Sequence, residues 1–217
     1  MSVAYIISNA SAASGILPVL AALYNYKHLD KVLKIAAAFF IISFLSDLVQ
    51  FITAVSGVKN NVPIIHLFII ISILFFGAIY YHAFFKPFLK KIIVILSAVA
   101  LLIVIINIIF IEGIWEYPSI SNTVLSVLLI FFSLAYFYEL LNRQEFVHIE
   151  KQGLFWINAA VLFYFSLNIF LFMLFRRIIS MHQTDYYIIH NIVNIIANIL
   201  FAVGLLCRPQ KTTLYQY

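Results

Sequence analysis

Seven apolar stretches, near residues 4–24, 33–55, 64–84, 91–111, 119–141, 154–176 and 186–206, follow one another along the chain. Each is long enough to cross a bilayer as a helix. The breaks between them are short and polar: YKHLDK, GVKNNVP, FKPFLKK, EGIWEYP, NRQEFVHIEKQ and RRIISMHQTD. In hydrocarbon the backbone must satisfy its own hydrogen bonds, which leaves such segments the helix and little else. The expectation is an all-α, polytopic membrane protein, with residues 1–217 forming a single seven-helix transmembrane domain. Of the 217 residues, 65% are hydrophobic and only 10% charged, so no polar tract remains from which a soluble domain could be built. Pro63, Pro87 and Pro118 stand at or near helix starts, where a missing N–H matters least. No Lys or Arg precedes the first apolar run, so it lacks the basic region of a signal peptide and segment one is expected to be retained. The lone cysteine, Cys207, excludes an intramolecular disulfide and any cysteine-based metal cluster.

Basic residues set the expected orientation. Loops one, three and five and the C-terminus carry Lys27, Lys31, Lys34, Lys86, Lys90, Lys91, Arg143, Lys151, Arg208 and Lys211, against Lys59, Arg176 and Arg177 on the other side. The positive-inside rule then puts the N-terminus outside and the C-terminus in the cytoplasm. Scattered through short loops, these charges form no patch for nucleic acid. The chain also hints at an internal repeat. ISN opens segments one (Ile7, Ser8, Asn9) and five (Ile120, Ser121, Asn122); IIH opens segments three (Ile64, Ile65, His66) and seven (Ile188, Ile189, His190). FLSDL in segment two matches FSLNI in segment six, Asp47 against Asn168. This pattern suggests two parallel three-helix units joined by segment four, a 3+1+3 arrangement about an axis along the membrane normal.

Polar residues at membrane depth are costly and turn toward protein or water. In the assigned orientation Asn9, Asp47, His66, Asn107, Asn122, Asn168, His190 and Asn194 fall in the outer half. Segment seven carries His190, Asn194 and Asn198 one turn apart on one face, and segment two carries Ser43, Ser46, Asp47 and Gln50 at helical spacing. Asp47, His66, Asn107, Asn168, His190 and Asn194 are the candidate ligand-binding residues, expected to line one outward-facing cavity. If a metal binds, Asp47, His66 and His190 are its candidate ligands, completed by water. Against these stand plainer readings: a hydrogen bond of Asp47 to a neighbouring Ser or His, packing histidines, and Asn194 with Asn198 joining helices. Glu139, four residues before Arg143, reads as an exposed ion pair. Arg176 and Arg177 read as headgroup anchors. No Lys lies in a helix interior to form a Schiff base, and no nucleotide-binding motif occurs, so no cofactor is expected.

With Asp47 on segment two, PIIHLF opening segment three, YFYELL over 136–141, LFWINA over 154–159 and IIHNIVNIIANILF over 188–201, the chain resembles a group of uncharacterised small seven-helix bacterial inner-membrane proteins. The resemblance spans nearly the whole chain and implies a multi-pass protein of the cell inner membrane, with no activity to carry over. The 3+1+3 pattern also resembles SWEET, PQ-loop and nicotinamide-riboside carriers, although Pro18 has no counterpart on segment five and no Pro-Gln pair occurs in the helices. Seven-helix membrane hydrolases that hold zinc show a His-x-x-x-His pair on the last helix; here Asn194 takes the second place.

Three readings follow. The first is a binding or sensory module with an outward-facing polar pocket, taking an unknown small molecule or ion and signalling through a membrane or signalling partner protein. The second is a small-solute transporter. The third, weighted lowest, is a metal-dependent membrane hydrolase. Orientation has a direct test. In a Cys207→Ser background, Lys59→Cys should react with an impermeant thiol reagent in intact cells and Lys151→Cys should not; the opposite pattern would invert the topology.

Overall fold

The computed structural model describes residues 3–58, 60–142, 149–180 and 185–207, and for 175–180 and 185–187 the backbone alone. Every regular element among the described residues is helical: α1 (Val3–Ser14), α2 (Ile16–Asn25), α3 (Lys31–Val55), α4 (Val62–Ala83), α5 (Pro87–Ile106), α6 (Ser119–Leu141), α7 (Gly153–Ser180) and α8 (Asp185–Leu206). A π turn, Asn107–Ile111, prolongs α5. Seven of the resulting spans are long and apolar enough to cross a membrane, with α1 and α2 together making the first. This is an integral, multi-pass membrane protein in its architecture. Lys59, Arg143, Arg208 and Lys211, and the side chains of Arg176 and Arg177, lie outside the described residues.

Local chemistry explains the helix ends. Asp30 caps α3, its Oδ1 accepting the Leu33 N–H at 2.8 Å. Pro87 sits in the first turn of α5, which starts earlier than the hydrophobic run alone suggests. The division between α1 and α2 is absent from the hydropathy pattern. Pro18 has no N–H to give the Ser14 carbonyl, and its ring crowds that oxygen. Gly15, a poor helix former, takes up the turn between them.

Helices neighbour one another in chain order around the bundle: α2 on α3, α3 on α4, α4 on α5 and α6, α6 on α7, and α7 on α8. The ring closes where α8 packs along α1 and α2. The interfaces that a 3+1+3 repeat would make equivalent are unequal, α7 packing far more extensively on α6 and α8 than α3 does on α2 and α4. The packing therefore lends the repeat no support.

Packing is also uneven across the membrane thickness. One face of the bundle holds the start of α1 and the α3–α4 and α5–α6 connections; this is the starting face. The opposite face holds the α2–α3 and α4–α5 connections. The core gathers toward the opposite face, where Phe39 meets Phe76 edge-on with centroids 4.7 Å apart, and Phe40 packs on Phe201 at 4.4 Å and Tyr80 on Phe132 at 5.3 Å with tilted rings. Along α3 the packing thins toward the starting face, whereas around the α5–α6 connection His66, Asn107 and Glu112 stay buried. From Ile41 to Val55 no residue of α3 is buried, and Phe51 and Val55 are 65% and 73% exposed.

Two features lock the opposite-face half. Glu139, read from sequence as an exposed ion-pair partner of Arg143, is buried instead. Its Oε1 accepts the Phe85 and Lys86 N–H groups at 3.4 and 3.3 Å, at the start of α5, where a carboxylate also meets the positive end of the helix dipole. The exposed reading fails because α6 turns this face onto the α4–α5 connection rather than to water. Gly153 and Gly204 bring the backbones of α7 and α8 into contact. A Cβ built on Gly204 would stand 2.7 Å from the Gly153 carbonyl oxygen and 2.8 Å from Ile157 Cγ1. Close approach through small residues is how membrane helices gain packing energy. Gly204→Ala should therefore cost about 1–3 kcal/mol, as overpacking does, and lower the unfolding midpoint in detergent. An unchanged midpoint would show that the two helices do not touch there.

Candidate functional site

The expected site residues separate into two groups. The first lies where α1, α2, α3, α7 and α8 meet. Tyr164, Asn168 and Phe172 stand one turn apart on one face of α7, turned to α8. His190 enters between the rings of Tyr164 and Phe172, with centroids 6.0 and 5.9 Å away, both edge-on. Its Nδ1 lies 3.0 Å from Asn168 Oδ1. Asn168, itself buried, donates Nδ2 to the Tyr164 carbonyl at 2.9 Å, and this fixes which way the amide faces. Its Oδ1 can only accept, so His190 Nδ1 must carry the proton. The Nε2 lone pair is left, without a partner among the described residues.

Asp47 approaches the same place from α3. It is eight residues before the end of its helix at Val55, about 12 Å along the axis. It is exposed and has no hydrogen-bond partner among the described residues. Its carboxylate lies within electrostatic reach of Tyr164. It also lies against the break between α1 and α2: a Cβ on Gly15 would sit 3.9 Å from Asp47 Oδ2 and 3.7 Å from Phe44. The Asp47–Ser or Asp47–His hydrogen bond that the sequence allowed is not formed among the described residues.

Asn194, one turn from His190, does not join this group. Its Nδ2 donates to Ser11 Oγ at 3.0 Å, and Asn198 Nδ2 donates to Ser14 Oγ at 2.8 Å. Ser14 Oγ in turn donates to the Ser11 carbonyl at 2.7 Å. Both asparagines join α8 to α1.

The second group surrounds the α5–α6 connection. His66, on α4, is buried, with Nε2 3.1 Å from the Glu116 carbonyl. A carbonyl only accepts, so Nε2 donates and the buried Nδ1 is left without a partner. Asn107 is fully buried and donates Nδ2 to Glu112 Oε2 at 2.6 Å and to Ser121 Oγ at 2.9 Å. Glu112, also buried, takes the Ile120 N–H at 3.1 Å, capping the first turn of α6. This group orders a helix start.

His66 and Asp47 are thus not neighbours of one kind. α4 packs on α3, α5 and α6, whereas α8 packs on α1, α2 and α7. The Asp47, His66 and His190 metal set is not brought together: among the described residues no three His, Cys, Asp or Glu side chains are placed to hold a metal ion. Tyr164 and Gly15 escaped the sequence reading. Tyr164 had a signal, its position four residues before Asn168 on the same helical face. Gly15 leaves no mark on the hydropathy pattern, so the break there is not visible in it.

No known protein family, curated protein or solved structure matches the chain. The likeness to small bacterial membrane proteins rests on its short motifs.

The α1–α8 zipper is open to measurement. A double-mutant cycle between Ser14→Ala and Asn198→Ala should give a coupling of about 0.6 kcal/mol, and at most about 1.7, the range of interhelical hydrogen bonds in membranes. A coupling indistinguishable from zero would show that the pair does not bond.

Proposed function

We propose that the protein is a membrane binding module that admits a small ligand from the starting face, into the space bounded by Asp47, Tyr164, Asn168 and His190. The observation that carries this reading is the unevenness of the bundle. The core is packed toward the opposite face, and α3 stands loosely packed beyond Ile41 with an unpartnered carboxylate on it. An Asp near the centre of a span costs about 2.5–3.5 kcal/mol on insertion scales. Water, a ligand or a proton must offset that cost, and an opening to the aqueous side supplies all three.

In the orientation favoured by loop charge the opening faces outward, which suits a sensory module that passes its signal to a partner protein. A small-solute transporter is the second reading, and one observation favours it. Within the closed half, Tyr80 OH donates to Asn158 Oδ1 at 2.6 Å and lies 2.9 Å from Ser133 Oγ, all three buried. This polar group stands between the proposed site and Glu139, where a second opening would need one. The break at Gly15 gives the first span a hinge beside Asp47.

Thiol accessibility tests the opening. In a Cys207→Ser background, Asp47→Cys should react with a small charged methanethiosulfonate applied from the starting face. Ile73→Cys, fully buried in α4, should stay unreacted. Reaction of both, or of neither, would remove the opening from the argument.

A further inference from the structure

We propose that this site takes a small organic cation, a primary ammonium carrying an apolar tail. The inference rests on the reading of the opening as a ligand site and adds the chemistry of what enters. It follows from an inventory of hydrogen-bonding capacity that is left unspent. Asn168 has given one of its two amide N–H groups to the Tyr164 carbonyl and turns its oxygen to His190. His190 has committed its one proton to Asn168, so Nε2 offers a lone pair and no N–H. Asp47 offers carboxylate oxygens that no described residue engages. Asn194 turns its amide to α1, giving one N–H to Ser11. The one charge facing a ligand here is the Asp47 carboxylate, and the open position on His190 is a lone pair; the Tyr164 hydroxyl can serve either way. An ammonium group has three donors and no acceptor, and it is the complement of such a site. A carboxylate or phosphate ligand would meet the Asp47 carboxylate, a like charge.

Charge points the same way. α1 and α2 contain no Lys or Arg, and Lys31 and Lys34 stand at the far end of α3. On α7 the nearest basic positions, Arg176 and Arg177, come twelve and thirteen residues after Tyr164, about 18 Å along the axis. Among the described side chains, therefore, no Lys or Arg stands at the level of Asp47, and a bound cation would supply the missing charge. The walls fit the rest of the molecule. Tyr164 and Phe172 present aromatic rings, whose faces attract cations, and Phe44 lies beside Gly15. The rings of Tyr164, Phe172 and Phe44 are the apolar surface on which a tail would lie.

The test uses the full chain in lipid nanodiscs and three probes of one shape: phenethylammonium, 3-phenylpropionate and 2-phenylethanol. The ammonium should raise the unfolding midpoint saturably, and the anion and the alcohol should not. Asp47→Asn should weaken the ammonium at least about tenfold, as loss of a charge-assisted hydrogen bond does, and Tyr164→Phe by a smaller factor. A second measurement stands if Asp47→Asn fails to fold. Phe44→Cys, with Asp47 retained, should be protected from the thiol reagent by phenethylammonium and by neither other probe. Saturable binding of the anion or the alcohol, or no saturable effect of the ammonium, overturns the ligand class. If Asp47→Cys is nevertheless labelled from the starting face, the opening itself survives that failure. If Asp47→Cys is unreactive as well, both readings fall together.

Discussion

In a membrane the apolar faces of helices gain nothing by leaving lipid for each other, so a seven-helix ring is held by close backbone contact and by hydrogen bonds between helices. Here the last helix is the element that closes it. α8 is tied to the first span at three levels: Asn194 to Ser11, Asn198 to Ser14, and at its end Asn25, whose Nδ2 reaches the Leu205 and Cys207 carbonyls at 2.9 and 3.2 Å. The last of these serves carbonyls that a helix end leaves without intrahelical partners. On its other side α8 meets α7 backbone to backbone at Gly204 and Gly153. With α8 held on both sides, His190 has little choice of position.

That closure explains why the break in the first span is tolerated and where its effects fall. Pro18 deprives the Ser14 carbonyl of its helical donor, and the Ser14 hydroxyl turns back to the Ser11 carbonyl while accepting from Asn198. The interrupted turn is thus stitched to α8. Its other side is Gly15, where a Cβ would come into contact with Phe44 and Asp47. One sequence feature, Gly15 with Pro18 three residues on, therefore lies between the bonds to α8 and the face turned to α3.

The helices were legible because length and hydropathy decide them: spanning segments placed near 33–55, 119–141 and 186–206 coincide closely with α3, α6 and α8. The polar stripe of α8 was legible too, including its role in joining helices. Partners were less so. A period of 3.6 says which residues share a face and nothing about which neighbour that face meets, so Asp47, His66 and His190 looked alike by depth and yet belong to different interfaces. Glu139 misled for the same reason. An i, i+4 carboxylate–arginine pair describes one helix in isolation, whereas the amides of Phe85 and Lys86 come from a turn more than fifty residues away in sequence.

Depth and polarity alone do not separate residues that build the fold from those that serve a ligand; unspent capacity does. Around the α5–α6 connection the donors of Asn107 and His66 are committed, and the Glu112 carboxylate is occupied by Asn107 and the Ile120 amide. The acceptors left over, Asn107 Oδ1 and His66 Nδ1, are sealed in protein, each a cost of about 1–3 kcal/mol set against an ordered start to α6. Asp47 differs in kind. It holds up no helix end, bonds no described neighbour, and is exposed within a span where an uncompensated carboxylate is expensive. Its carboxylate lies within electrostatic reach of Tyr164, on the helix whose Asn168 sets the His190 tautomer, and the proposed ligand role rests on that difference.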